Sequence, residues 1–259
     1  MSNIRIVIIG AGNVATNLAK VFKSKLSADV HIHNRTENSA KQLADKLQMT
    51  YSFDINELPV EADLYVISVS DDAISELCQD TVLKNKINNK LVVHTAGSIN
   101  SEILNELSAN YGVFYPLQTF SKIKTVDFSN IPLCLEANSG FNYNTLSKLA
   151  FQISEDVRKI SSEQRKHIHL AAVFANNFSN HMFSIAENLL KEQDIDFDIL
   201  IPLINETVDK IQKKNPNKVQ TGPAARNDEE VLNKHSELLK DHPDLKKIYS
   251  LVSENIKNN

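Results

Sequence analysis

In the first 160 residues, hydrophobic positions follow two alternating patterns. Short runs of apolar, often β-branched residues are separated by stretches in which apolar residues recur at every third or fourth position. The runs are typical of buried parallel strands, and the spaced positions are typical of amphipathic helices. Strands are predicted at 4–9, 30–33, 50–53, 63–69, 91–94, 112–115, 131–135 and 157–160. The alternation predicts an α/β domain with a doubly wound parallel sheet.

From residue 161 onward, the pattern is helical only. Ser161 and Gln164 form a predicted capping box, and the helix that they open is expected to reach Lys191. Further helices are predicted at 198–214, 228–240 and 243–256, with a connecting loop at 215–227. We therefore expect an α/β domain at 1–160 and an all-α domain at 161–259.

The helix predicted at 161–191 has an apolar face that is long and wide. Phe178, Met182 and Ile185 belong to a repeat of apolar residues at spacings of three and four. The other predicted helices are too short to cover this face, and soluble monomers rarely leave such a face exposed. We therefore expect a homodimer that packs through this helix.

The first predicted strand runs directly into a glycine-rich turn. The sequence G-x-G-x-x-A follows the strand and opens a predicted helix. Gly10 permits the tight turn, Gly12 lets the backbone approach a pyrophosphate, and Ala15 keeps helix and strand close. The free N–H groups at the helix start, which include those of Asn13 and Val14, are expected to bind the phosphates. This region predicts a Rossmann-type dinucleotide site.

The end of the second predicted strand indicates which dinucleotide is bound. Asn34, Arg35 and Thr36 stand about twenty residues past Ala15, where an NAD-binding domain usually carries Asp or Glu. An arginine fork with two small polar neighbours suits the 2′-phosphate of NADP(H). The alternative is that Arg35 is a solvated loop residue beside a helix start, where Thr36 is an ordinary N-cap residue. The sequence favours NADP(H).

Further polar residues follow the carboxyl ends of later strands, which line one crevice in this fold. Residues expected to contact the cofactor there are Ser68, Val69, Ser70 and Thr95. Residues expected in a neighbouring substrate pocket are His94, Gly97, Ser98 and Gln118. The residues at 95–98 suit a helix N-cap equally well, and that alternative stays open.

Composition and charge argue against several other classes of function. The chain has 259 residues and a net charge of −4, which gives no basic surface for nucleic acid. No apolar run reaches the roughly 18 residues needed to cross a bilayer, and no signal peptide is expected. Cys78 and Cys134 stand far apart, as is typical of the reducing cytoplasm. The histidine pairs lack the geometry of metal ligands, so no metal site is expected.

Several motifs together resemble a known superfamily. They are the glycine-rich turn, the Asn34–Thr36 run, the strand and turn at 65–71, and the change to a long helix after residue 160. They resemble β-hydroxyacid dehydrogenases, pyrroline-5-carboxylate reductases and deazaflavin-dependent NADP reductases. Runs at 94–98, 115–120, 169–177 and 221–228 are more closely similar to a group that pairs a Rossmann-like domain with the C-terminal domain of unknown function 2520. The resemblance implies an NADP-binding fold, a helical domain like that of 6-phosphogluconate dehydrogenase, and dimerisation through the long helix.

The resemblance also points to candidate catalytic residues on the long helix. β-Hydroxyacid dehydrogenases carry a lysine there, one turn before an asparagine. Asn176 matches the asparagine, but Val173 stands in place of the lysine and cannot donate a proton. In an ideal helix His169, Asn176 and Asn180 share one face within about 40°, so they are expected in the substrate pocket, with His169 and Asn176 as the catalytic candidates. The alternative is that they form hydrogen bonds in a core or an interface.

The predicted loop at 221–228 also offers a group for a ligand. Gly222 and Pro223 restrict its path, and Arg226 supplies a fork of donors for an anion. We expect this loop to line the substrate pocket, and the partner subunit's pocket is the favoured place. The alternative is a simple connector between two helices.

Two hypotheses for the function follow. The first is a cytoplasmic NADP-dependent oxidoreductase of a small carbonyl or imine compound, in which the cofactor supplies the hydride. The second is a non-catalytic NADP(H)-binding sensor or scaffold, which the missing lysine favours. An enclosed polar pocket at the nicotinamide end of the crevice supports the enzyme, and a filled or dry cleft supports the sensor.

Overall fold

The computed structural model describes residues 4–258, and its first part contains an eight-stranded sheet. The strands are β1 (Arg5–Ile9), β2 (Asp29–His33), β3 (Thr50–Ser52), β4 (Leu64–Ile67), β5 (Leu91–His94), β6 (Asn110–Pro116), β7 (Leu133–Ala137) and β8 (Val157–Lys159). Their order across the sheet is β3-β2-β1-β4-β5-β6-β7-β8. This confirms the predicted doubly wound fold, in which the strand order reverses between β1 and β4 and a crevice opens at their carboxyl ends.

One strand departs from the predicted parallel sheet. β7 is antiparallel to β6, with Tyr115 opposite Cys134, whereas every other strand pair in the described residues is parallel. The segment between β6 and β7 contains no helix, and a parallel return needs a long crossover, usually helical. The sequence pattern missed this difference because a strand buried on both faces has the same apolar run in either direction.

Helices cover both faces of the sheet. They are α1 (Asn13–Leu26), α2 (Glu37–Leu47), α3 (Asp71–Cys78), α4 (Thr81–Ile87), α5 (Gly140–Ala150) and α6 (Ser162–Ala172). Alternate residues of a strand point to opposite faces, so Ile6 and Ile8 belong to the apolar cluster that contains α1, whereas Val7 and Ile9 belong to the cluster of α3 and α4. Burial on both faces explains why the sequence of β1 is a continuous apolar run.

The long helix predicted from Ser161 to Lys191 is present, but it is not a uniform α-helix. Its predicted capping box forms, because the Gln164 N–H donates to Ser161 Oγ and the Ser161 N–H donates to Gln164 Oε1. A π-helical segment (Val173–Phe178) follows α6 and leads into α7 (Ser179–Lys191). In a π-helical segment the hydrogen bonds join residues five positions apart, whereas in an α-helix they join residues four positions apart. The α-helical period that placed Asn180 on the face of His169 therefore does not hold across this segment.

The described residues fall into two compact units, the first ending at Asn180 and the second beginning at His181. The second unit contains most of α7, followed by α8 (Ile201–Lys213), α9 (Pro216–Val219), α10 (Glu229–Leu238) and α11 (Pro243–Lys257). The predicted loop at 215–227 thus includes a short helix. No helix within residues 4–258 has the length and apolar character that a membrane span requires. The functional division predicted at residue 160 stays a prediction.

Arg165 on α6 is fully buried and holds the segment that follows β5. Its guanidinium donates to the carbonyl oxygens of Ala96 (3.1 Å) and Ile99, to Ser162 Oγ (3.1 Å) and to Glu136 Oε2 on β7 (2.6 Å). Burial acts to raise the pKa of Glu136, but the hydrogen bonds from Arg165 and Ser162 outweigh it and hold this pKa below its usual value. A buried charge is tolerated only when it is paired and hydrogen-bonded. This network therefore ties α6 to β7 and to the segment after β5.

His94, the last residue of β5, is fully buried near this network. Its Nδ1 accepts a hydrogen bond from the Ala96 N–H (3.1 Å), and its Nε2 has no hydrogen-bond partner among residues 4–258. Burial, followed by the positive charge of Arg165, lowers the pKa of His94 to about 3. The imidazole is therefore neutral near pH 7, with its proton on Nε2 because Nδ1 is an acceptor.

We expect the neutral imidazole of His94 to make the fold sensitive to acid. In the unfolded chain a histidine binds a proton at about pH 6.5, whereas the folded chain protonates His94 only at about pH 3. Between these values the unfolded state holds one more proton, so this group lowers the free energy of unfolding by about 1.4 kcal/mol for each pH unit of acidification. Urea unfolding of the wild type and of His94→Gln at pH 7 and pH 5 measures the contribution, which the variant lacks. An equal loss of stability in the two proteins would contradict it.

Candidate functional site

The carboxyl ends of β1, β2, β3 and β4 surround a first cleft of about 800 Å³. The residues that line it are Ile9, Gly10, Ala11, His33, Asn34, Arg35, Phe53, Asp54, Ile55, Ser68, Val69, Ser70, Ala73, Glu76, Leu77 and Asp80. The predicted cofactor residues among them are Gly10, Asn34, Arg35, Ser68, Val69 and Ser70. The fold therefore brings together residues from three separate motifs of the sequence.

The turn between β1 and α1 has a backbone that requires glycine at one position. Gly10 has a φ of +125°, and a Cβ added there would lie 2.1 Å from the carbonyl oxygen of Ser68. The Gly10 N–H donates to the His33 carbonyl (2.8 Å), and the Ser68 N–H donates to the Ile9 carbonyl (2.7 Å). At Gly12, by contrast, an added Cβ would meet no atom within 4 Å. The turn is thus fixed between β2 and β4 and leaves open space above Gly12.

The start of α1 presents free N–H groups. Gly12 is the N-cap residue, and the first helical hydrogen bond runs from the Thr16 N–H to the Gly12 carbonyl (3.0 Å). The N–H groups of Asn13, Val14 and Ala15 therefore have no acceptor within the helix. The first turn carries no acidic residue, so the positive end of the helix dipole favours an anion here.

Arg35 carries the one formal positive charge among the described residues that line the first cleft. Beside it, Asn34 Nδ2 donates to the Thr36 carbonyl (3.1 Å), and Thr36 is the N-cap residue of α2 without a side-chain cap. Three carboxylates line the same cleft: Asp54 after β3, Glu76 in α3 and Asp80 between α3 and α4. Sequence reasoning missed them because none of them belongs to a recognised motif. The cleft therefore offers one cation for a phosphate and several acceptors for hydroxyl or amino groups.

Two histidines on β2 form a buried hydrogen-bonded chain with β3. His31 Nδ1 lies 2.9 Å from Thr50 Oγ1, and Ser52 Oγ lies 3.0 Å from His31 Nε2 and 2.9 Å from His33 Nδ1. Burial is the main cause that lowers the pKa of His31 to about 4, and it also lowers the pKa of His33. Both imidazoles are therefore neutral near pH 7. Within residues 4–258, no three His, Cys or acidic side chains are grouped as metal ligands.

A second cleft, of about 670 Å³, lies between the start of α1, the end of β6 and the long helix. Its lining consists of Asn13, Val14, Tyr115, Leu117, Gln118, Thr119, Phe120, Ile168, His169, Ala171, Ala172, Val173, Ala175, Asn176 and Asn177. The predicted residues among these are Asn13, Val14, Gln118, His169 and Asn176. Val173, where the resemblance places a lysine in the dehydrogenases, borders the same space.

Tyr115 is a lining residue of the second cleft that sequence reasoning missed. Its hydroxyl lies 3.1 Å from His169 Nδ1 and shares a hydrogen bond with it, and the two rings meet edge to face. Burial raises the pKa of Tyr115, so its phenol keeps its proton at neutral pH. The available signal was strand alternation: Phe114 packs in the α1 cluster, so its neighbour Tyr115 points to the opposite face of the sheet.

Gly97 packs directly against the imidazole of His169. A Cβ added to Gly97 would lie 2.5 Å from His169 Nδ1 and 2.6 Å from its Cγ. The segment that Arg165 holds therefore supports His169 from the side of the sheet. Gly97 contributes to the second cleft through this contact rather than by lining it.

Other predicted residues line neither of the two clefts. Thr95 Oγ1 donates to Ser68 Oγ (3.2 Å), which joins the ends of β4 and β5, and Ser98 Oγ donates to Asp71 Oδ2. Five further residues of the first unit line neither cleft: Gly12, Ala15, Thr36, His94 and Asn180. Arg226 is exposed and belongs to the second unit. The binding roles predicted for these residues stay predictions.

The turn before α1 borders the first cleft, and the start of α1 borders the second. Gly10 and Ala11 line the first cleft, and Asn13 and Val14 line the second. A ligand that suits this arrangement has an anionic centre, which meets the free N–H groups of α1, and a bulky group at each end. A dinucleotide with its central pyrophosphate has this form.

Two family models match the chain. The model described as a domain of unknown function, DUF2520, matches residues 131–256. The model of shikimate / quinate 5-dehydrogenase matches residues 1–93. No curated protein matches the chain.

Several solved structures are similar to the chain. A Bacteroides fragilis protein, named provisionally as an NADP oxidoreductase, is 44% identical with a TM-score of 0.93, and 99% of each chain is covered. An imine reductase from Myxococcus stipitatus in complex with NADP⁺ is 14% identical with a TM-score of 0.69, over 98% of this chain and 95% of that one. A 1-pyrroline-5-carboxylate reductase from Streptococcus pyogenes is 16% identical with a TM-score of 0.62, over 100% of both chains.

The two reductases are similar to this chain in fold. The Bacteroides protein is similar in sequence as well, over almost the full length of both chains. Together with the DUF2520 match that follows the nucleotide-binding half, this shows that the chain belongs to the family of Rossmann-type proteins that carry the C-terminal domain of unknown function DUF2520.

Proposed function

We propose that the protein is an NADP(H)-dependent oxidoreductase that acts on a small carbonyl or imine compound. The observation that carries this proposal is the pair of clefts on either side of the start of α1. Bound NADP(H) would supply the hydride chemistry. The names of the Bacteroides relative and of the imine reductase with NADP⁺ add support.

The residues of the first cleft fit the adenosine half of the cofactor. Phe53 and Leu77 offer apolar surface for the base. Arg35, with Asn34 and Thr36 beside it, offers donors for the 2′-phosphate. The free N–H groups at the start of α1 would hold the pyrophosphate, in the space that Gly12 leaves open.

The second cleft favours an enzyme over a sensor or scaffold. It is unfilled, although it is open rather than enclosed in the single chain, and it holds hydrogen-bonding side chains on more than one wall, including Tyr115, Gln118, His169 and Asn176. A protein that only senses the cofactor has no need of several hydrogen-bonding side chains around a space at the nicotinamide end. Val173 cannot donate a proton as a lysine could, but Tyr115 and His169 in the same cleft can.

We expect NADPH to bind more tightly than NADH, because Arg35 is the one formal cation among the described residues of the first cleft. Calorimetry on the wild type and on Arg35→Ala measures this difference. The loss of a charge-assisted contact of this kind lowers NADPH affinity by about ten- to a hundredfold, so most of the preference should disappear in the variant.

Two further variants serve as controls for this measurement. Arg158→Ala removes an arginine of β8 that pairs with Asp156 (2.6 Å) and lines neither cleft, so it should leave both affinities unchanged. Asp54→Asn removes a negative charge from the first cleft and should raise NADPH affinity more than NADH affinity. Equal affinity of the wild type for the two cofactors, or binding of neither, would contradict the proposal.

We also propose that the protein is a homodimer that packs through its long helix. In the first unit, Phe174 and Phe178 are 61% and 47% exposed in the single chain. In the second unit, α7 and α8 contain no buried residue, and Leu203 is 64% exposed. Apolar surface of this extent in a soluble protein is typical of an interface, and a two-fold dimer is the commonest closed assembly. The 221–228 segment is the part that we expect to complete the partner's pocket.

Light scattering at micromolar concentration should give twice the mass of one chain, since an interface above roughly 1,000 Å² in total is expected to persist there. Phe178→Asp places a charge in the proposed interface and should shift the mass toward that of one chain. The control is Ile123→Asp, because Ile123 is 91% exposed and lies outside the helices. A wild-type protein with the mass of one chain would exclude the dimer.

A further inference from the structure

We propose that Tyr115 is the residue that binds and protonates the heteroatom of the substrate, and that the second cleft takes an uncharged carbonyl or imine compound. This inference rests on the proposed oxidoreductase function and adds to it a proton donor and a substrate class. It places the proton donor at the end of β6 rather than on the long helix, where His169 and Asn176 were the catalytic candidates.

The fold places the Tyr115 hydroxyl in the cleft by two independent constraints. Strand alternation turns Tyr115 away from the cluster in which Phe114 is buried. The β6–β7 register sets Tyr115 opposite Cys134 near the end of the strand, next to the lining segment 117–120. The phenol therefore projects from a rigid element, whereas Gln118, on the exposed segment after it, is used by the Thr119 N–H as a local acceptor (2.8 Å).

His169 holds the hydroxyl in place. It shares the 3.1 Å hydrogen bond with Tyr115 and is packed on its other side by Gly97. His169 lies one helical turn after Arg165, whose buried guanidinium fixes both α6 and the carbonyl of Ala96. The position of His169 is thus determined by buried contacts rather than by solvent-exposed ones. A donor oriented in this way loses little entropy when a substrate binds.

The charges of the second cleft indicate the class of substrate. Among the described residues, no Lys, Arg, Asp or Glu lines it. Apart from Asn13 and Thr119, the hydrogen-bonding side chains of its lining are those of Tyr115, Gln118, His169, Asn176 and Asn177. A carboxylate or phosphate that enters from water would lose its hydration without gaining a fixed cation. An uncharged compound with one carbonyl or imine acceptor loses far less.

The proton transfer that this arrangement allows is balanced. Bound NADPH would supply the hydride for the substrate carbon, and the heteroatom of the substrate would then need one proton. Tyr115 Oη gives its proton to that atom. The phenolate that remains accepts a hydrogen bond from His169 Nδ1 and takes up a proton from water after the product leaves. The product is an alcohol or an amine, and water supplies the one proton that each turnover consumes.

Binding of two unreactive ring compounds tests the proposal without a known substrate. 2-Pyrrolidinone is an uncharged lactam with a carbonyl acceptor, and 5-oxoproline is the same ring with a carboxylate. Ligand-observed NMR titrations are made with the wild type, with and without saturating NADP⁺. The lactam is expected to bind at least roughly tenfold more tightly than its carboxylate analogue, because of the cost of burying an unpaired charge.

Two matched variants identify the group responsible. Tyr115→Phe removes the proposed donor and should weaken lactam binding by roughly three- to tenfold, the range for one hydrogen bond. Tyr143→Phe removes a hydroxyl of the same kind from α5, where the ring packs beneath Lys159 outside both clefts. It should leave lactam binding unchanged. NADPH calorimetry on both variants checks that the cofactor site is intact.

Three results would overturn this inference. They are lactam binding by Tyr115→Phe at the wild-type affinity, tighter binding of 5-oxoproline than of the lactam, and no detectable binding of the lactam to the wild type. If Arg226→Ala abolishes a preference for 5-oxoproline, the anion site belongs to the 221–228 segment instead. If NADP⁺ does not bind, the proposed cofactor fails, but the titrations on the protein alone still test Tyr115.

Discussion

The buried guanidinium of Arg165 is the constraint on which much of the candidate site depends. A charge with no access to water must have its donors satisfied, and here the acceptors are two carbonyls after β5, a hydroxyl of α6 and a carboxylate of β7. These four acceptors belong to three parts of the first unit. Their common bond to one side chain fixes the start of the long helix against the sheet, and hence the place of His169.

A second constraint, at the other side of the crevice, comes from the double burial of β1. Its residues face one apolar cluster or the other, so the strand cannot shift by one position without exposing a set of them. The turn at Gly10 and the start of α1 are therefore fixed in space. The free N–H groups of α1 therefore have a fixed position between the two clefts. For the same reason, the first cleft has a fixed position relative to Tyr115 and His169.

Much of this fold was predictable from the sequence, because local patterns determine it. The apolar run of β5, the glycine-rich turn and the capping box at Ser161 each depend on neighbouring residues, and each prediction was confirmed. The direction of β7 and the π segment at Val173–Phe178 depend on distant packing, and the sequence pattern contains no signal for them. The periodic pattern of the long helix stays apolar across the segment, so it looked like a uniform α-helix.

The candidate site was predicted in part, for a related reason. Motif residues such as Gly10, Arg35 and His169 do line the two clefts. Arg165 was missed because an arginine in an amphipathic pattern is usually interpreted as exposed, and only tertiary contacts reveal its burial. Tyr115 was missed because strand alternation indicates the face of the sheet to which it points but not which helix packs there. The most direct test of the account is a crystal structure of the complex with NADP⁺. We predict adenosine in the first cleft, the pyrophosphate at the start of α1, and the nicotinamide in the second cleft beside Tyr115 and His169. A nicotinamide that lies outside the second cleft would contradict the account.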